Sequence, residues 1–256
     1  MSPKVSIITV CFNSAKTIGD TIESVLSQDY PDIEYIVIDG GSSDETVSIV
    51  NEYSDRISTI VSERDRGIYD AMNKGIAHAT GDIVGMLNSD DVYINKHAVS
   101  DLIREMQKKN TDSVYADLVI VDPLDLNKVM RYYDSSYFTP NKFRFGWMPA
   151  HPTFFVKKAL YDKVGPYSLD YKISADYEML IRLLWVEKAS YSYLKEPMVR
   201  MRHGGASTAG LSRVILLNKE IVLACRKHHI NTNLLLLMLK IPTKLLGLIF
   251  KKSEAN

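Results

Sequence analysis

Apolar residues along the chain gather in short β-branched runs separated by longer stretches of helical spacing. Residues 5–12, VSIITVCF, are apolar almost without break, as expected of a strand covered on both faces by helices. Ile18, Ile22, Val25 and Leu26 then recur at helical spacing, with Asn13 or Ser14 as the cap, until DYPD at 29–32 breaks the pattern. A second strand at 33–38 runs straight into DGGSSDET at 39–46. There the glycines permit a tight strand-to-helix turn, Ser42 with Glu45 predicts a capping box, and Val47, Val50 and Tyr53 mark a helix's inner face. Residues 57–62 predict a short third strand, followed by a helix through Met72 and Ile76 that ends near Gly81. The fourth strand lies in GDIVGMLNSDD at 81–91, an apolar run that stops abruptly in an amide, a hydroxyl and two carboxylates.

Val99, Leu102, Ile103 and Met106 mark the next helix, and residues 114–121 the next strand, with Asp117 inside it. Strands alternating with helical patterns imply an α/β fold whose central sheet is Rossmann-like and mostly parallel, flanked by helices. Residues 122–149 are irregular and aromatic, which suits a flap, an irregular wall of a site or a simply packed segment. A returning strand at 150–156 and a helix at 157–164 closed by Gly165-Pro166 follow, then a helix from Ser174 carrying Met179, Leu180, Leu183 and Leu184. Residues 191–202 read as a strand, and 211–229 as a helix with Val214, Leu217, Ile221, Val222 and Cys225 as apolar positions. The expected division is an α/β domain over 1–210 and a C-terminal helical extension over 211–256. The Leu-rich stretch 233–252 is interrupted by Lys240 and Pro242, too broken for a membrane span. With Lys244, Lys251 and Lys252 it suits a segment lying at an anionic lipid surface.

Composition narrows the function. The 256 residues are 46% apolar and 24% charged, ordinary for a folded globular chain. Lysine plus arginine, 31, equals aspartate plus glutamate, 31, which removes any bulk electrostatic case for a nucleic-acid partner. Cys11 and Cys225 lack partners at metal spacing and point to buried thiols in a reducing compartment. The N-terminal apolar run is broken by Asn13 with no small-residue cleavage site after it, so a cytoplasmic location is expected.

Asp39, Asp65 and the Asn88-Ser89-Asp90-Asp91 cluster all fall just past strands that a parallel sheet would bring to one edge. Helix N-termini there favour a bound anion, and carboxylates beside an anion call for a divalent cation. Oxygen ligands alone favour Mg2+ or Mn2+ over zinc. The residues therefore describe a nucleoside diphosphate bound through a metal. Neither a Gly-x-Gly-x-x-Gly after the first strand nor a Gly-x-x-x-x-Gly-Lys-Ser/Thr occurs, which removes the dinucleotide and P-loop readings.

VSIITVCFN, IDGGSSDET, DRGIYDAMNKG, GDIVGMLNSDD, HPTFF, SADYEM and RMRHGGAS, in this order, span nearly everything from residue 5 to 207. Together they resemble glycosyltransferase family 2, the inverting nucleotide-sugar transferases of GT-A fold, and within it the bacterial enzymes of colanic acid and lipopolysaccharide-type surface polysaccharide synthesis. The resemblance implies that Asp39 hydrogen-bonds the nucleobase, that Thr9 and Phe12 line the same pocket, and that Asp65 with Arg66 approaches the base, ribose or diphosphate. Asn88-Ser89-Asp90 occupies the family's metal-binding Asp-x-Asp position, with Asn88 in place of the first aspartate. Asp90 is then the direct ligand, while Asn88 contacts ribose, phosphate or a metal-bound water and Asp91 orients the cluster. Asp176 matches the catalytic aspartate of a Glu-Asp pair whose glutamate is here Ala175. Taken alone, it is an ordinary helix-dipole aspartate. His203 is expected beside the leaving diphosphate as a metal ligand or cationic donor, supported by Arg202, and His151 in the acceptor pocket. The implied donor is a nucleotide-diphosphate sugar, UDP-linked rather than GDP-linked by preference. The implied acceptor is a glycan or lipid-linked hydroxyl, reached from the inner face of the cell membrane through peripheral contact of the tail. Two other classes fit the same edge: a catalytically silent nucleotide-binding subunit of a membrane complex, and a nucleotidyltransferase. The latter needs a Gly- and Lys-rich triphosphate loop, which Asn13-Ser14-Ala15 is not.

Overall fold

The computed structural model describes residues 2–204 and 210–238. Nine strands and eight α-helices follow in order: β1 Val5–Cys11, α1 Ile18–Leu26, β2 Ile33–Asp39, α2 Thr46–Asn51, β3 Thr59–Ser62, α3 Ile68–His78, β4 Ile83–Met86 and β5 Asp91–Tyr93. After these come α4 Ala98–Lys109, β6 Ser113–Val121, β7 Val129–Tyr133, β8 Phe155–Lys157, α5 Lys158–Val164, α6 Ala175–Ile181, β9 Tyr191–Arg202, α7 Leu211–Lys227 and α8 Leu234–Met238. Short 3₁₀ turns lie at Pro140–Phe145 and His151–Thr153, and a π-helical turn, Arg182–Val186, extends α6.

All strands join one sheet in the order β3-β2-β1-β4-β8-β6-β9-β5, with β7 on the free edge of β6. The expected parallel arrangement holds across β3-β2-β1-β4. Beyond β4 the sheet is mixed, because β8 inserts antiparallel to both β4 and β6 while β6 and β9 run parallel. The predicted strand at 150–156 is accordingly shorter and later. Residues 151–153 coil into a 3₁₀ turn whose Thr153 hydroxyl donates to Ala116 O at 2.9 Å and accepts from Ala116 N at 3.0 Å.

The period-two alternation of β1 and β2 sorts their side chains onto two cores. Ile8, Val10, Ile36 and Ile38 pack with Tyr69, Met72 and Ile76 of α3 and with α6 and α7. Ile7, Cys11, Tyr35 and Val37 pack with Ile18, Ile22 and Val25 of α1 and with α4. Gly85 is fixed by close approach, since a Cβ there would lie 2.5 Å from the Phe155 ring across the β4–β8 pair. In β1, β2 and β3 the parallel register aligns the carboxyl ends, with Cys11 opposite Asp39 and Asp39 opposite Ser62.

Helix α7 is fastened to α6. Its Ile221, Val222, Ala224 and Cys225 are buried in the α6 core, and Glu178 of α6, fully buried, bonds Arg182 Nε at 2.9 Å, Lys227 Nζ at 3.2 Å and His228 Nε2 at 2.8 Å. Residues 211–238 are thus continuous with the body of the fold, and the rest of the tail lies outside the described residues. Among the described residues no helix is long and apolar enough to cross a membrane.

Burial raises the Glu178 carboxyl, but the His228 bond and the charges of Arg182 and Lys227 outweigh it and bring it to about 2. A carboxyl depressed in the folded state stabilises above its unfolded value, near 4.5, and the contribution is lost as pH falls towards 2. Glu178→Gln is therefore expected to cost about 3 kcal/mol in urea denaturation at pH 7. The difference from the native chain should narrow steadily below pH 4.5; a gap independent of pH would show that the network contributes nothing through its charge.

Candidate active site

The turns that follow β1 and β2 are laced to each other before they meet anything else. Asn13, in the left-handed region at φ 49°, accepts Ser43 N–H at 2.9 Å and donates its own N–H to Ser42 Oγ at 2.8 Å. Ser14 N–H donates to Thr46 Oγ1 at 2.7 Å, and Ala15 N–H to Asp44 Oδ2 at 3.1 Å. Neither Asn13 nor Ser14 caps α1 with its side chain, and the Ser42–Glu45 capping box does not form. Ser42 is taken by Asp39 instead, and Asp44 accepts Thr46 N–H at 3.0 Å in its place.

Asp39, 1% exposed, accepts bonds from Gly41 N–H at 3.1 Å, Ser42 N–H at 3.1 Å, Ser42 Oγ at 2.5 Å and Ser62 Oγ at 2.7 Å. Four donors fill the lone-pair sites of a carboxylate, so a nucleobase would have to displace a serine to bond it. The side chain that reaches over this turn is Asp65. A Cβ on Gly40 would collide with its carboxylate, and its Oδ1 accepts Gly67 N–H at 2.8 Å at the entry to α3, where Gly67 has φ 113°. Phe12, 61% exposed, stands just past β1 on the same edge. Thr9 does not line the pocket: it is fully buried within β1, and its hydroxyl accepts from Tyr35 Oη at 3.1 Å. Arg66 turns away onto Asp70, at 3.0 Å.

The fourth strand ends beside these turns. Leu87 N–H donates to Ile8 O at 3.0 Å, and Ser89 Oγ lies 2.8 Å from Ser14 Oγ. β5 pairs antiparallel with β9, Asp91 opposite Met201, which carries Arg202 next to Asp90. Arg202 Nη1 donates to Asp90 O at 2.8 Å, and Nη2 pairs with Asp20 of α1. His203 is exposed, with its backbone N–H on Val121 O, and the partially buried cation at this end of β9 is Arg202. The Gly205-Ala206-Ser207 portion of the expected closing loop lies outside the described residues.

Burial raises the carboxyl of half-buried Asp90. Asp91, 1% exposed, is raised well above the ordinary range, first by burial and then by the charge of Asp90; neither of its oxygens has a well-formed hydrogen bond, although Asn88 and the Arg202 backbone oppose the rise. Two adjoining, under-compensated oxygen donors fit a hard divalent cation. Among the described residues no three His, Cys, Asp or Glu side chains converge, so the remaining positions of such an ion would fall to Asn88, water and ligand oxygens.

Asp176 stands half-buried in the first turn of α6. Its Oδ1 accepts Tyr177 N–H at 2.8 Å and lies 3.3 Å from Tyr69 Oη, while no described group bonds Oδ2. Burial raises its carboxyl, opposed by nearby His151 and by the Tyr177 and Tyr69 contacts. His151 is itself buried, held 3.1 Å from Tyr167 Oη, and burial lowers its pKa, which keeps it neutral near pH 7. Tyr69 stacks on Tyr167 at 5.8 Å with 19° between the rings.

Ser174 does not cap α6 with its side chain. Glu220 of α7 does the work: its buried carboxylate accepts Lys172 N–H at 2.8 Å, Ile173 N–H at 3.0 Å, and both Ser174 N–H and Oγ at 3.0 Å. Neither Tyr69 nor Glu220 stands out from residue type alone. The signal for Glu220 was its place beside Leu217 and Ile221 on the apolar stripe of α7, and for Tyr69 its place four residues after Asp65.

The Glycosyl transferase family 2 profile matches residues 6–165. An uncharacterized glycosyltransferase of Mycobacterium tuberculosis is 35% identical over 183 residues, covering 71% of this chain and 69% of its own. A PGL/p-HBAD biosynthesis glycosyltransferase of the same species is 28% identical over 185 residues, covering 71% and 70%. Among solved structures, Staphylococcus aureus TarS 1–349 in complex with UDP-GlcNAc superposes with TM-score 0.70 at 20% identity, over 86% of this chain and 66% of that one. The mannosyltransferase PcManGT of Pyrobaculum calidifontis, with GDP-Man and Mn2+, superposes with TM-score 0.65 at 21% identity, over 91% and 66%. This chain spans just under two thirds of those two structures, and at such identities the likeness is one of fold.

Removing the Glu220 carboxylate strands three backbone N–H groups and a hydroxyl ahead of Asp176. Glu220→Ala is expected to destabilise the fold by about 2–4 kcal/mol in urea denaturation; a loss within about 0.5 kcal/mol, the usual range for a surface substitution, would show that water replaces the clamp.

Proposed function

This chain belongs to glycosyl transferase family 2 and has the GT-A-type α/β fold, and from that premise we propose that it is a metal-dependent, inverting glycosyltransferase. It moves a hexose from a nucleotide-diphosphate sugar, UDP-linked by preference over GDP-linked, to a hydroxyl of a glycan or lipid-linked acceptor in bacterial surface polysaccharide synthesis. The observation that supports the reading is two sets of carboxyls raised by burial: the strand-end cluster at Asp90 and Asp91, and Asp176, whose Oδ2 has no hydrogen-bond partner among the described residues.

The donor lies along the carboxyl edge of β1, β2 and β4, with Phe12 against the base and Asp65 over the Gly40 turn. Asp90 would hold Mg2+ or Mn2+, with Asn88 and Ser89 beside it and Asp91 orienting the cluster. When bound, the cation offsets the negative charge of the departing diphosphate. Arg202 adds positive charge from β9, and its exposed neighbour His203 is placed beside the diphosphate. Asp176 accepts the proton of the attacking hydroxyl, which is consistent with a carboxyl raised by burial towards working pH. The hydroxyl oxygen bonds the anomeric carbon as the bond from that carbon to the diphosphate breaks, in one in-line displacement. His151, neutral and 3.1 Å from Tyr167 Oη, borders the acceptor side. The leucine- and lysine-rich tail draws the protein to the inner face of the membrane, where lipid-linked acceptors reside.

With Mn2+, a panel of nucleotide sugars and simple glycosyl acceptors, nucleoside diphosphate release is expected from at least one donor. Asp176→Asn should keep donor affinity and lower turnover about 10²–10⁴-fold. Release from no donor, with nucleotide still bound tightly, would instead mark a silent nucleotide-binding subunit. The full chain is expected to sediment with anionic lipid vesicles and a chain ending at Met238 to remain in solution; equal behaviour of the two would remove the tail from membrane contact.

A further inference from the structure

Tyr69 is buried, sits in the first turn of α3 and reaches Asp176, yet nothing in the reaction above uses it. Its hydroxyl lies 2.5 Å from Ile173 O and 3.3 Å from Asp176 Oδ1. A phenol has one proton, and neither the Ile173 carbonyl nor an ionised Asp176 carboxylate can donate, so the two oxygens share that proton in a three-centre bond whose shorter arm runs to Ile173. Tyr177 N–H holds the same Oδ1 at 2.8 Å, which leaves Oδ2 as the oxygen without a protein partner among the described residues. The ring is fixed by stacking on Tyr167, and Ile173 by Glu220 of α7, so the phenol is braced at both ends.

We propose that Tyr69 is a positioning residue for Asp176: its phenol, anchored on Ile173 O, fixes the carboxylate by Oδ1 and presents Oδ2 as the atom that takes the acceptor's proton. The proposal rests on the reading of Asp176 as the base. Tyr69 also follows Asp65 by four residues across the Gly67 turn, so the segment that covers the donor side is the one that orients the base. The groups facing Asp176 are Tyr69 from α3, Tyr133 from β7, His151 from the 3₁₀ turn and Tyr167 from the loop before α6. Among them Tyr69 is the one whose hydroxyl lies within hydrogen-bond distance of the carboxylate.

The test is Tyr69→Phe, which keeps the ring and its stack and deletes one oxygen. In full-length protein labelled with [13C]aspartate, the Asp176 carboxyl is assigned by its absence from Asp176→Asn and titrated by NMR without substrate. Losing a donor to the ionised form raises a carboxyl pKa, so an upward shift of about half a unit or more is expected. Turnover should fall about tenfold with donor KM within about twofold of native. Replacing Tyr69 by 3-fluorotyrosine, a stronger donor of the same size, should move the titration the other way, and it serves if Tyr69→Phe fails to fold. An unchanged titration in the folded variants would overturn the proposal. Near-native turnover of Asp176→Asn would instead overturn the base reading, whatever the titration shows.

Discussion

Several carboxylates gathered at one end of a sheet repel one another and resist desolvation, and the surroundings of that edge are arranged by how each is compensated. Asp39 is compensated by neutral donors from its own turn and from Ser62. Asp65 is tied to the entry of α3 through Gly67. Asp90 and Asp91 are left short of partners, with Arg202 as the near cation. Acidic oxygens left short of partners at a half-buried edge are available to a cation, which is the ground for proposing a metal there, whereas the lone pairs of Asp39 are already taken.

The same reasoning separates the two halves of the chemistry. At the strand-end cluster, burial and a like charge raise adjoining carboxyls, conditions that a divalent cation reverses. At Asp176 burial acts against His151 and two hydrogen bonds, giving a raised carboxyl beside a neutral imidazole. Both environments favour the protonated carboxyl, and the proposed cation would reverse that at the strand end alone. Helix α7, through Glu220 and Glu178, fixes the helix that carries Asp176.

The parallel half of the sheet was legible because its determinants are local: unbroken β-branched runs, glycine turns and polar residues at strand ends. Asp39, Asp65, Asp90 and Asp91 were legible for the same reason, whereas Asp176 looked like an ordinary first-turn aspartate and was singled out by the family resemblance alone. The antiparallel insertion of β8 and the 3₁₀ turn at His151 were not legible, since partners far apart in sequence decide them, and β7 forms a local hairpin with β6 inside a segment that read as irregular. Ser42 and Ser174 looked like helix caps because cap preference is a statement about residue type; in the fold the Ser42 hydroxyl answers to Asp39 three residues before it and the Ser174 hydroxyl to distant Glu220. Thr9 was expected in the pocket, but it lies on the buried face of β1, where Tyr35 holds it. Tyr69 carries no titratable signature at neutral pH, and its meaning comes from two contacts about a hundred residues away.

The proposed reaction is one in-line displacement, with the proton leaving on the Asp176 side and the diphosphate on the strand-end side. Proton NMR of the anomeric centre in the transferred sugar tests that geometry most directly. A product of anomeric configuration opposite to the donor's is expected; a product that retains the donor's configuration would contradict the account.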